Sequence, residues 1–210
     1  MNTASSDAWK SDSSETVRYF SELVGKHGFA SSSVDWGSPV SQQKRFSILA
    51  EIGSLDDCSV LDVGCGLGDF LPWLQERFPA IRYTGIDVTP AMIAKATEKF
   101  PGADFRVCDF LDFEEQTETY DYVFSSGLFY LRKSDPYAFV GGTLHKMFSS
   151  CRRGVAFNTL SSWAGQQTSG EFYADPIEVI RIARQLTDSI VFRHDYHPGD
   201  FTVYLRKSRR

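Results

Sequence analysis

The sequence predicts an α/β fold: an open, largely parallel sheet with helices on both faces. Three observations predict it. An apolar segment, residues 60–63, runs into a glycine turn and then into helical spacing. Strand-then-helix units of this kind recur down the chain, and crossovers through helices build parallel sheets. Two last strands close around a Pro-Gly turn. At 210 residues the chain suits one large domain.

Residues 1–13 are rich in Ser and Asp and are expected to form a disordered tail. From 14 to 26, Val17, Phe20, Leu23 and Val24 make one apolar helical face. A loop rich in Gly, Ser and Pro follows and carries Trp36. A second helix is expected over about 40–53, with Phe46, Leu49 and Ile52 apolar. Residues 14–53 thus read as helices set before the main domain, 54–210.

In that domain Val60, Leu61 and Val63 suit a strand buried on both faces. Gly64, Gly66 and Gly68 follow at alternate positions. Glycine without a Cβ lets a ligand lie close to the backbone. Phe70, Leu74 and Phe78 then keep helical spacing, with Pro72 in the first turn, where its missing N–H costs nothing. A dinucleotide fingerprint would need glycine at 69, but that residue is Asp69, whose charge would repel a phosphate. The turn reads D-x-G-x-G-x-G from Asp62 to Gly68.

The second strand, 82–88, ends in Asp87 and Val88, about 20 residues past the last glycine, where nucleotide-binding folds place an acid on ribose hydroxyls. Thr89 and Pro90 read as N-cap and first helical residue. The third strand ends at Asp109, before Phe110, and the fourth at Ser125, Ser126 and Gly127. Ligands bind at the carboxyl ends of strands in open α/β sheets.

Asp135-Pro136 starts the next helix, and 152–160 reads as the fifth strand. A long loop carrying Trp163, Glu171, Phe172 and Tyr173 leaves the same edge. A helix over about 176–186 and a closing hairpin, with His194 and the 197–200 turn, complete the chain.

From the glycine turn and the acids at three strand ends, residues 55–207 resemble the class I S-adenosylmethionine-dependent methyltransferases. The resemblance implies a Rossmann-like seven-stranded sheet of order 3-2-1-4-5-7-6, strand 7 antiparallel. It implies S-adenosylmethionine as cofactor and S-adenosylhomocysteine as product. Asp62 would meet the ammonium, with Gly64, Cys65, Gly66 and Gly68 close against the ligand. Asp87 with Val88 would hold the ribose, Asp109 the adenine amine and Phe110 the ring, with Ser125 and Ser126 alongside. Helices before the first strand would lie over the cofactor as a lid. That makes Tyr19, Trp36 and Arg45 candidate substrate contacts, with Tyr130, Trp163 and Tyr173 from later loops. Arg45 would either fork onto the cofactor carboxylate or lie on a solvated face. Nucleic-acid amine methyltransferases share a [D/N]-P-P-[Y/F] motif at the fourth strand end. This chain has Ser125-Ser126-Gly127 there instead.

The net charge of −5, without a basic stripe, disfavours nucleic acid as a partner. No apolar run suits a membrane span, and no signal core precedes the domain, so a cytoplasmic protein is expected. The four cysteines form no C-x-x-C pair, so no metal is expected. The expected acceptor is a small molecule, methylated at oxygen, nitrogen or carbon by a monomer or homodimer. A hydroxyl acceptor would want a base, and Tyr130, His194 and His197 are the candidates. An aminopropyltransferase-like enzyme, a protein methyltransferase and a non-catalytic nucleoside-binding module are the alternatives.

Overall fold

The computed structural model describes residues 3–29, 39–112, 117–131 and 133–208. Helices α1 (Thr3–His27) and α2 (Pro39–Ala50) precede β1 (Ser59–Val63), α3 (Phe70–Arg77), β2 (Arg82–Asp87), α4 (Pro90–Lys99) and β3 (Asp104–Val107). Then come β4 (Tyr120–Ser126), α5 (Pro136–Ser150), β5 (Cys151–Leu160), α6 (Pro176–Arg184), β6 (Ile190–Arg193) and β7 (Asp200–Arg206). The seven strands form one sheet of order β3-β2-β1-β4-β5-β7-β6. β1 lies parallel to β2 and β4, while β7 runs antiparallel to both β5 and β6. The order and the antiparallel seventh strand are those expected from the sequence.

Alternation along β1 explains why the sheet is sandwiched. Leu61 and Val63 join a core cluster with α5 and α6, whereas Val60 joins another with α2 and α3. Phe46 of α2 stacks on Phe70 of α3 at 4.6 Å, and Phe70 meets Phe124 of β4 edge-on at 5.4 Å. Burying each such ring contributes roughly 1.5–3 kcal/mol. α1 seats Val24 against Leu67 and Met92, just behind the glycine turn.

One expectation is corrected at the chain start. Helix α1 begins at Thr3, where a disordered tail was expected up to residue 13. The Ser/Asp composition looked solvated because its partners lie far away in sequence. Asp12 accepts from the N–H (3.0 Å) and hydroxyl (2.9 Å) of Ser134, and Ser13 donates to Asp109 at 2.6 Å. Trp36 lies outside the described residues.

Candidate active site

The site grows from the turn after β1. The N–H groups of Gly64 and Cys65 donate to the Ile86 carbonyl at 2.8 and 3.0 Å. The Gly66 N–H donates to one Asp87 carboxylate oxygen (3.0 Å), and the Thr89 N–H donates to the other (2.8 Å). Asp87 therefore ties the glycine turn to the start of α4. Gly64, Gly66 and Gly68 all hold left-handed backbone, at φ of 75°, 54° and 74°, which side-chain-bearing residues rarely adopt.

Two of these glycines also have protein neighbours where a side chain would begin. A Cβ at 68 would lie 2.5 Å from the Phe105 ring, and one at 64 would lie 3.0 Å from Leu128. Protein side chains lie against both positions. Gly68 also stands outside the cavity that the turn borders.

That cavity, about 380 Å³, receives all three strand-end acids. Asp62 is 3% exposed and accepts from the Tyr83 hydroxyl at 2.7 Å. Burial pushes its carboxyl up to about 7; the Tyr83 bond works against that rise and the Asp87 charge adds to it. Burial also raises Asp87, against the pull of the Thr89 and Gly66 N–H groups. Asp109 takes the Ser13 hydroxyl and the Leu111 N–H (3.0 Å). Val88, Phe110 and Met92 supply apolar wall beside these acids. The wall around the acids fits a sulfonium nucleoside: carboxylates for an ammonium, a ribose and an amine, with the Phe110 ring in the same wall.

The cavity continues under α2 to the ends of β5 and β7. Here the Arg45 guanidinium donates to one Asp200 carboxylate oxygen and to the Ser41 hydroxyl. Thr159 and His197 share this wall. The Lys133 ammonium, in the wall nearer α1, donates to the Asp12 carbonyl (3.3 Å) and to the Thr16 hydroxyl. Burial lowers the Lys133 pKa.

Of the cofactor candidates, Asp62, Gly64, Cys65, Gly66, Asp87 and Val88 line this one cavity, as do Asp109, Phe110 and Ser126. Ser125 does not; its hydroxyl donates to the Val63 carbonyl at 3.0 Å and joins β4 to β1. Tyr130, Arg45 and His197 line the cavity. Arg45 does not lie on a solvated face: it is 8% exposed and bound to Asp200. Tyr19 is exposed and packs edge-on to Phe20. His194 sits outside, stacked among Trp163, Phe192 and Phe201, and bonds Ser161 at 2.9 Å. Trp163 is 54% exposed. Tyr173 instead donates to Glu171, itself a wall residue, and Phe172 packs on Tyr137. Thr143 and Thr159 went unnoticed as wall residues, and Asp200 was placed only as the end of the 197–200 turn. Thr159 and Asp200 were findable as strand ends on the carboxyl edge; Thr143, inside α5, carried no signal.

Residues 60–152 match the model of a methyltransferase domain. A protein of Mycobacterium tuberculosis named as a methyltransferase is 34% identical over 167 residues, which cover 75% of this chain and 98% of that one. The malonyl-[acyl-carrier protein] O-methyltransferase of Acetivibrio thermocellus is 31% identical over 63% of this chain and 46% of its own length. Among solved structures, the magnesium protoporphyrin IX methyltransferase of Synechocystis superposes with a TM-score of 0.69 at 16% identity, covering 94% of this chain and 97% of that one. With this fold and these relatives, the chain belongs to the class I S-adenosylmethionine-dependent methyltransferases.

Proposed function

We propose that this enzyme moves the methyl group of S-adenosylmethionine to a small-molecule acceptor, with Asp62, Asp87 and Asp109 as the residues that hold the cofactor. One observation carries the reading: one cavity joins the three strand-end acids to a second wall at β5 and β7, with α1 and α2 along its lining. A cavity of this size suits a small acceptor better than a protein or nucleic-acid surface. The bound cofactor supplies a methyl carbon already activated by positive sulfur. Attack by the acceptor's lone pair forms the new bond, and the C–S electron pair stays on sulfur as a neutral thioether.

The chain's own residues then have to position rather than activate. Positioning of this kind can supply up to about 7–11 kcal/mol of a barrier. Asp62 meets the ammonium, Asp87 the ribose hydroxyls and Asp109 the adenine amine. Two of the similar proteins take their names from malonyl-[acyl-carrier protein] and from magnesium protoporphyrin IX. The reduced cysteines suit a cytoplasmic setting.

The test is methyl transfer from tritiated S-adenosylmethionine into a bacterial extract split by size. Label in the fraction below about 1 kDa is the expected result. Label confined to precipitated protein or nucleic acid would overturn the small-molecule reading.

A further inference from the structure

The cavity wall at β5, β7 and α5 holds polar atoms that find no hydrogen-bond partner among the described residues. Asp200 is 2% exposed, Thr159 4% and Thr143 1%. Asp200 Oδ1 and the hydroxyls of Thr159 and Thr143 make no hydrogen bond. All three residues line the one cavity, from three different elements: β7, β5 and α5. A buried polar atom left unmet is expensive, so its retention calls for a partner.

The charges of this wall say what kind of partner. The other Asp200 oxygen takes the Arg45 guanidinium, and that pair is neutral overall. His197 Nδ1 lies 3.5 Å from Asp200 Oδ1 but accepts the Gly199 N–H at 3.1 Å. The tautomer that accepts the Gly199 N–H has its proton on Nε2 and leaves Asp200 Oδ1 open to a donor. Glu171, also in the wall, is a further acceptor group. Lys133 turns its ammonium to α1. Among the described residues, the Asp200 wall therefore offers acceptor atoms without a cation committed to an incoming anion.

We propose that Asp200, with Thr159 beside it, is an acceptor-binding residue that selects a substrate presenting a hydroxyl or amine and disfavours one presenting a carboxylate. The proposal rests on the small-molecule reading above. Asp200 takes the hydrogen of the substrate's O–H or N–H, Thr159 adds a hydroxyl contact, and Arg45 holds the Asp200 carboxylate in place from α2.

The experiment follows the label into chemistry. Small-molecule products formed from tritiated S-adenosylmethionine in the extract fraction are treated with alkali. Methyl esters release volatile labelled methanol, whereas methyl ethers and methylamines do not. Alkali-stable label is the expected result. Alkali-labile label in small molecules would overturn the Asp200 proposal and leave the small-molecule reading standing. No label in small molecules would remove that reading, and this proposal with it.

On the product found to be labelled, Thr159→Val and Asp200→Asn should raise the acceptor KM by about 10-fold or more. Both should bind S-adenosylhomocysteine within twofold of the parent by calorimetry. Thr159→Val keeps the shape of the side chain, so it remains decisive if Asp200→Asn fails to fold for want of an Arg45 partner. An acceptor KM unchanged in Thr159→Val, with cofactor binding intact, would overturn the proposal by reducing the orphan hydroxyls to packing.

Discussion

Asp62→Asn separates stability from function. In the parent, burial lifts the Asp62 carboxyl from 3.8 to about 7. A folded-state pKa above the unfolded one means that the folded chain prefers the proton. The penalty is absent below 3.8, grows through the window from 3.8 to 7, and is constant above it. At 1.36 kcal/mol per unit, about three units make roughly 4 kcal/mol at pH 8, against roughly 2 kcal/mol at pH 5. Asparagine keeps an oxygen for the Tyr83 hydroxyl but carries no charge. Allowing for its own desolvation, the substitution should stabilise the empty protein by about 2–4 kcal/mol at pH 8, a Tm gain of roughly 5–15 °C for a chain of this size. At pH 5 the gain should fall by about 2–3 kcal/mol. Urea denaturation at the two pH values measures this directly. The same variant should bind S-adenosylmethionine at least about 10-fold more weakly, because a neutral amide replaces the carboxylate opposite an ammonium. A variant no more stable than the parent at pH 8, or equally favoured at both pH values, would refute the reasoning.

Other substitutions probe separate contacts. Asp87→Ala should weaken cofactor binding by about 10-fold or more in calorimetry and lower stability by roughly 1–3 kcal/mol, since the Gly66 and Thr89 N–H groups lose their acceptor. Gly68→Ala should cost about 2–4 kcal/mol in urea denaturation, from left-handed strain and the Phe105 clash; an unchanged stability would return that glycine to a ligand role. Phe70→Ala should lose about 3–5 kcal/mol, because its ring joins α2, α3 and β4. His194→Ala and Trp163→Ala should leave cofactor affinity and turnover within about twofold, since both side chains sit outside the cavity; a larger loss in either would put the aromatic stack into the site.

What the sequence made legible was local. The acids at 62, 87 and 109 lie at or just past the ends of short strands, and in a parallel sheet such ends fall on one edge without any knowledge of packing. That is why three carboxylates from separate units could be placed together. Contacts between distant segments left no such trace. Arg45 and Asp200 are 155 residues apart, and Ser13 and Asp109 are 96 apart. Nothing in the spacing around Arg45 distinguishes an exposed helix face from one buried on β7. Aromatic residues misled for a related reason. Trp163 and Tyr173 lie in a loop leaving the active edge, yet the loop turns them to β6 and to Glu171. Glycine was overread in one respect: positive φ and neighbouring rings explain Gly68 without a ligand.

The most direct test is a calorimetric titration of S-adenosylhomocysteine into the parent protein at several pH values between 5.5 and 7. If Asp62, Asp87 and Asp109 enclose one nucleoside site, one molecule binds per chain. Its affinity should climb by up to about 10-fold per pH unit as the Asp62 carboxyl gives up its proton, levelling near 7. Absent binding, or an affinity flat across that range, would contradict the account.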